Sequence, residues 1–68
     1  MLSKKVLMYR NLQGISQNKI SQICNLPRTT YREIENGKNS NPTLVQVCKL
    51  CRGFNITPND LIPEEFWK

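Results

Sequence analysis

Positions 28, 29, 32, 33 and 36 carry two guanidinium groups, a hydroxyl, a carboxylate and an amide. With Tyr31 and Ile34 of the same stretch pointing inward, a helical repeat places Arg28, Thr29, Arg32, Glu33 and Asn36 together on the opposite face. Such a face is dense in donors and acceptors, so its chemistry is hydrogen-bond recognition of another surface. Bond-breaking chemistry has no footing here. There is no histidine, no pair of carboxylates in a pocket-forming chain and no phosphate-cradling loop, so an enzyme is not expected.

The three cysteines narrow the chemistry further. A structural zinc site usually needs four Cys or His ligands, which Cys24, Cys48 and Cys51 cannot supply from one chain; no metal or cofactor is expected. The spacing of Cys48 and Cys51 invites a redox reading, yet it falls inside an apolar helical pattern of Leu44, Val47, Cys48, Leu50 and Cys51. Helical residues three apart hold their Cβ atoms roughly 5–6 Å apart, whereas a disulfide needs about 3.8 Å. All three are therefore expected as small core residues, with adventitious oxidation the alternative.

Charge is distributed unevenly. The net charge is +5, and the excess lies within residues 1–41, where Lys4, Lys5, Arg10, Lys19, Arg28, Arg32 and Lys38 oppose only Glu33 and Glu35. In the remainder Lys49, Arg52 and Lys68 balance Asp60, Glu64 and Glu65. A polyanion facing the first part would account for this; a basic surface without a partner would look the same. No run of about 20 apolar residues and no signal-peptide pattern occurs, and a cytoplasmic location is expected.

The elements that must carry these residues are short. At 68 residues the chain should form a single domain over 1–68, with no room for a small-molecule-sensing domain and a core that buries only about 60% of the unfolded surface. A first helix over about 2–12 carries an inward stripe of Leu2, Val6, Tyr9 and Leu12 and stops at Gly14. Ser16 caps a second over 17–24, with Ile20, Ile23 and Cys24 inward. Asn25 suits a left-handed stop, and Pro27 has its φ preset for a first helical turn. A third helix over 28–36 anchors on Tyr31 and Ile34 and stops at Gly37. A polar loop over 38–41 leads through Pro42 to a fourth helix over about 43–53, whose stripe ends on Phe54, with Asn55 as its left-handed stop. Thr57, Pro58 and Asp60 open a short fifth helix that Pro63 cuts, and 64–68 add a turn or a tail. No strand is indicated, so the fold class is all-α.

Two helices joined by a three- or four-residue turn, the second with a polar face, describe a helix-turn-helix over 16–37. The stretch resembles that of the phage-repressor and Cro class, the xenobiotic-response-element family of bacterial and phage transcription regulators. The matching residues are Ser16 and Gln17, Ile20 and the small Ser21 where helices touch, Asn25 and Leu26 in the turn, Arg28, Thr30, Ile34, and Glu35 before Asn36 and Gly37. The likeness continues through Pro42, Leu44, Leu50, Cys51 and Phe54 to Leu61. Asn25 and Asn55 stand where the family usually has glycine, and Pro27 replaces its usual Ser or Thr cap. The loop after Gly37 is one residue longer than the commonest form. The resemblance implies a compact five-helix, lambda-repressor-like domain whose third helix enters the DNA major groove.

In that setting Arg28 suits guanine as a bidentate donor to O6 and N7, Thr29 can meet a thymine methyl, and Glu33 can accept from cytosine N4. Glu33 is equally suited to restraining Arg32 or Thr29, or to being a solvated charge. Arg32 can read a base or bind a phosphate, and Asn36 completes the face. Gln17 would place its amide on a phosphate at the start of the second helix. Lys38, Asn39 and Asn41 either clamp the DNA backbone or form a solvated turn. The resemblance further implies that Arg10 and Glu35 form a partly buried ion pair fixing the third helix to the first.

One nine-residue helix, about 13 Å long, reads few bases, and a small core gains from a partner. The expectation is a sequence-specific regulator of double-stranded DNA, binding a two-fold operator as a homodimer. Ile62, Phe66 and Trp67 are the candidate interface, or else they pack on their own core. A protein-interaction module, such as an antitoxin or anti-repressor, is the alternative; a charged third-helix face speaks against it, because such a helix would expose apolar anchors.

Overall fold

The computed structural model of the chain describes residues 2–62, and among these every regular element is helical. Helix α1 spans Leu2–Gln13, α2 Gln17–Ile23, α3 Arg28–Glu35, α4 Leu44–Phe54 and α5 Pro58–Leu61. Pro63, Phe66 and Trp67, and with them the proposed tail and two of the three residues of the candidate interface, lie outside the described residues.

Local chemistry sets the helix starts. Ser16 Oγ accepts the Lys19 amide at 3.1 Å, satisfying one of the donors a helix leaves free at its N-terminus. Thr43 and Thr57 form reciprocal boxes with Gln46 and Asp60, each side chain bonding the other residue's amide. Thr43 is thus the cap of α4 and lies outside its first turn. Pro27 stands at the cap position of α3 with no side-chain hydrogen bond.

Three of the stops follow one pattern. Gly14, Asn25 and Asn55 have φ of 64°, 57° and 61°, and in each case this residue's amide bonds the carbonyl three back while the next amide bonds the carbonyl five back. The apolar residues that follow, Ile15, Leu26 and Ile56, turn toward the core. In this way each left-handed residue both ends a helix and aims the chain inward.

Val6, Ile20, Tyr31, Ile34, Leu50, Phe54 and Leu61 are closed off from solvent, with Leu2, Cys24, Leu26, Val47 and Cys51 completing one core. Each such side chain contributes on the order of 1.5–3 kcal/mol. Helix α3 packs against both α1 and α2, while α4 packs against α5 and α2. The approach of α4 to α2 is close: a Cβ at Gly53 would lie 3.2 Å from Cys24 Cα and overlap its Sγ.

Four apolar residues assigned inward by spacing point out. Leu12 is 73% exposed and Leu44 78%, while Ile23 and Cys48 are exposed as well. At the end of α1 it is the exposed Gln13 that reaches a neighbouring helix: its Nε2 bonds Phe54 O at 2.8 Å and so satisfies a carbonyl at the end of α4. In α2 the inward face beside Ile20 belongs to the buried Ser21, whose Oγ donates to Asn18 O at 2.8 Å. Leu44 occupies the first turn of α4, and Cys48 lies off its buried stripe of Val47, Leu50, Cys51 and Phe54. All three thiols are free.

Candidate nucleic-acid interface

The polar face of α3 is held from behind by one charged cluster. Arg10 Nε and Nη2 meet Glu35 Oε2 and Oε1, each at 2.9 Å, and Arg10 Nη1 bonds Ile15 O at 3.0 Å. The Glu35 side chain is 6% exposed and that of Arg10 20%. The pair therefore joins the end of α3 to α1 and to the start of the chain between α1 and α2.

Burial alone would push the Glu35 carboxyl upward; hydrogen bonds from Arg10, with the Tyr31 hydroxyl and the Gln17 amide nearby and the positive charge of Arg10, outweigh it and hold it below the usual range. Arg10 is raised in turn by its bond to Glu35. Tyr31, buried beside them, is pushed up by burial and then by the neighbouring carboxylate. Its hydroxyl feels that charge but lies outside good hydrogen-bond geometry with any described residue.

Gln17 belongs to this cluster. Its Nε2 donates to Glu35 Oε1 at 3.2 Å, and the residue is half-buried. The amide assigned to a phosphate therefore already has an internal acceptor, since the carboxylate it lies beside attracts N–H donors as a phosphate would.

On the outward side, Thr29, Arg32, Glu33, Asn36 and Lys38 line one shallow depression. Arg28 borders an adjoining one with Asn18, Ser21, Gln22 and Leu26. Arg28, Thr29, Arg32 and Asn36 are exposed and Glu33 is half-buried. Arg28 Nη1 donates to Asn18 Oδ1 at 3.0 Å, a contact that no spacing within either helix reveals because it crosses the turn.

The loop after α3 is braced by its own asparagines. Asn36 Oδ1 accepts the Lys38 amide at 2.9 Å and Asn39 Oδ1 the Asn41 amide at 3.1 Å, while the Asn39 amide bonds Glu33 O at 2.9 Å. Lys38 stays beside the α3 face. Asn41 instead lines a mostly apolar depression with Leu2, Pro42, Val47 and Ile62.

A pair of short helices crossing through a tight turn, with an exposed and charged second helix, defines a helix-turn-helix domain. A helix-turn-helix family model matches residues 6–61, and the chain belongs to this family, of the Cro and phage-repressor type. The chain is similar to the restriction-modification controller protein C.AhdI from Aeromonas hydrophila, with a TM-score of 0.83, 26% identity and coverage of 90% of this chain and 91% of that one. No curated protein sequence matches significantly. Fold and family together make the chain a DNA-binding domain of the transcription-regulator class. No helix among the described residues is long and apolar enough to cross a membrane.

Proposed function

We propose that the chain is a sequence-specific regulator of transcription, a repressor or small controller, that binds a two-fold operator as a homodimer in the cytoplasm. The observation that carries this reading is the outward face of α3: the exposed Arg28, Thr29 and Arg32 with the half-buried Glu33, on a helix whose inner side is locked by the Arg10–Glu35 pair. A rigid helix presenting Arg28, Thr29, Arg32 and Glu33 suits base edges, and Lys38 beside them suits a phosphate. The similarity to a restriction-modification controller supports the same reading. It acts by binding and not by catalysis.

Two copies would place their α3 helices in successive major grooves, with half-site centres about 10–10.5 bp apart. The Ile62 end, continuing into Phe66 and Trp67, is the proposed pairing surface. Light scattering across a dilution series on wild type and Trp67→Ala tests it, with a weaker dimer expected in the variant.

The deciding experiment is selection from random duplexes at about physiological salt with wild type and Arg28→Ala in parallel. An inverted repeat that loses a guanine preference in the variant is expected. Absence of any enriched motif would shift the function to a protein-binding module of the antitoxin or anti-repressor kind.

A further inference from the structure

The residue that begins α3 does not stand alone. Arg28 follows Pro27, which supplies no side-chain cap, and it is exposed on the first turn. An arginine in such a place normally samples many rotamers, and ordering its long side chain on a ligand lowers affinity. Here the guanidinium is tied across the turn, Nη1 to Asn18 Oδ1 at 3.0 Å. Both residues border one concavity between α2 and α3, with Ser21, Gln22 and Leu26 forming its floor and wall.

The backbone from which Asn18 projects is set within α2, its carbonyl accepting the Ser21 hydroxyl at 2.8 Å. Its neighbour Gln17 is unavailable for the task, being drawn to Glu35. So of the two amides that open α2, one braces the far end of α3 and the other holds its first side chain.

We propose that Asn18 is a positioning residue for base recognition: it orients the Arg28 guanidinium before DNA arrives, and thereby sets the discrimination for guanine at the base Arg28 meets. The proposal rests on the reading of Arg28 as a base reader. A guanidinium has five N–H donors, and a guanine edge takes two of them, so the bond to Asn18 and the bidentate contact coexist. Asn18 adds no sequence information of its own; it narrows the orientations of the group that does.

The test has two arms. In the free protein, 15N relaxation at Arg28 Nε should report a guanidinium more ordered than those of Arg32 and Arg52, whose side chains have no partner among the described residues. Asn18→Ala should release it, and Asn18→Asp, which keeps an acceptor oxygen, should retain the order. In the second arm, affinities are measured at fixed salt for the selected duplex and for one with adenine replacing the guanine. Asn18→Ala should cut the ratio roughly three- to tenfold, the scale of freezing one long side chain. In the Arg28→Ala background the same change should leave the ratio alone. Asn18→Asp should weaken binding to both duplexes, through its added negative charge, while preserving the ratio.

An Arg28 as mobile as Arg32 in the wild type, or an equal fall of the ratio in the Arg28→Ala background, would overturn the role of Asn18 alone. An ordered Arg28 with no Arg28-dependent sequence preference on any duplex would overturn the underlying reading, and the specificity role with it.

Discussion

Replacing Arg10 by methionine keeps most of the aliphatic length and removes both bonds to Glu35. The carboxylate left behind is 6% exposed and retains only the Gln17 amide, at 3.2 Å. Breaking a buried pair from one side costs about 3–5 kcal/mol; because Arg10 is 20% exposed, water can reach part of the site, and about 2–4 kcal/mol is the better figure. A 68-residue chain has only about 3–10 kcal/mol in total. The melting temperature followed by circular dichroism at pH 7 should therefore fall by roughly 10–25 °C.

The double variant Arg10→Met, Glu35→Leu should recover most of that loss, since no charge then stays buried. Acidification separates the proteins further. In the wild type the folded-state pKa of Glu35 is depressed, so the stability it contributes is present above its unfolded value, about 4.3, and is lost as pH falls through the lower folded value. In Arg10→Met the carboxyl is buried without its cation and its pKa should rise above the unfolded value, so the variant's deficit should shrink toward pH 4. A single variant that melts within a few degrees of wild type, or a double variant no better than the single, would refute the reasoning.

Gly53→Ala should destabilise by about 1–3 kcal/mol, because the new Cβ would lie 3.2 Å from Cys24 Cα and against its Sγ; adding Cys24→Ala should restore part of this in denaturant melts. At pH 8 a maleimide should label Cys48 rapidly in the native protein and Cys24 and Cys51 only on unfolding, since Cys24 is buried with its pKa pushed up to about 11, by burial and then by the neighbouring Cys51. Asn25→Gly should be neutral or slightly stabilising in thermal melts and Asn25→Ala should cost about 1 kcal/mol, because the position has φ of 57°.

Much of this was legible in sequence wherever the cause lies within about four residues. Ser16, Thr57 with Asp60, and the left-handed Gly14, Asn25 and Asn55 declare themselves because caps and stops are local hydrogen-bond arrangements. Core anchors at the middle of a stripe, such as Val6, Ile20, Tyr31 and Leu50, are equally plain. The edges of a stripe are not, because neighbouring helices decide where it is centred. Leu12 satisfies the apolar pattern, yet it lies exposed at the end of α1, where Gln13 beside it reaches Phe54 O. Ile23 lies exposed while Ser21 is buried beside Ile20, its hydroxyl satisfied by Asn18 O within the helix. Contacts that cross a turn leave no periodic trace at all, and for that reason Asn18 escapes notice while Arg28, its partner, does not.

These cross-turn contacts converge on one consequence for α3. The helix has eight residues and no side-chain cap at its start, so by itself it would be marginal in water. Glu35, its last residue, is gripped by Arg10 and Gln17; Arg28, its first, is gripped by Asn18. Sequence neighbours on α2 thus reach opposite ends of a helix about 12 Å long, because one is drawn to a carboxylate and the other to a guanidinium. Tyr31 and Ile34 seat the middle in the core. Arg28 is then held ready for a ligand, and the outward side chains Thr29, Arg32, Glu33 and Asn36 stand free to respond to it. A recognition surface built in this way gains specificity from the rigidity of its support, and changes behind it, at Arg10, Gln17 or Asn18, should alter recognition without touching the ligand.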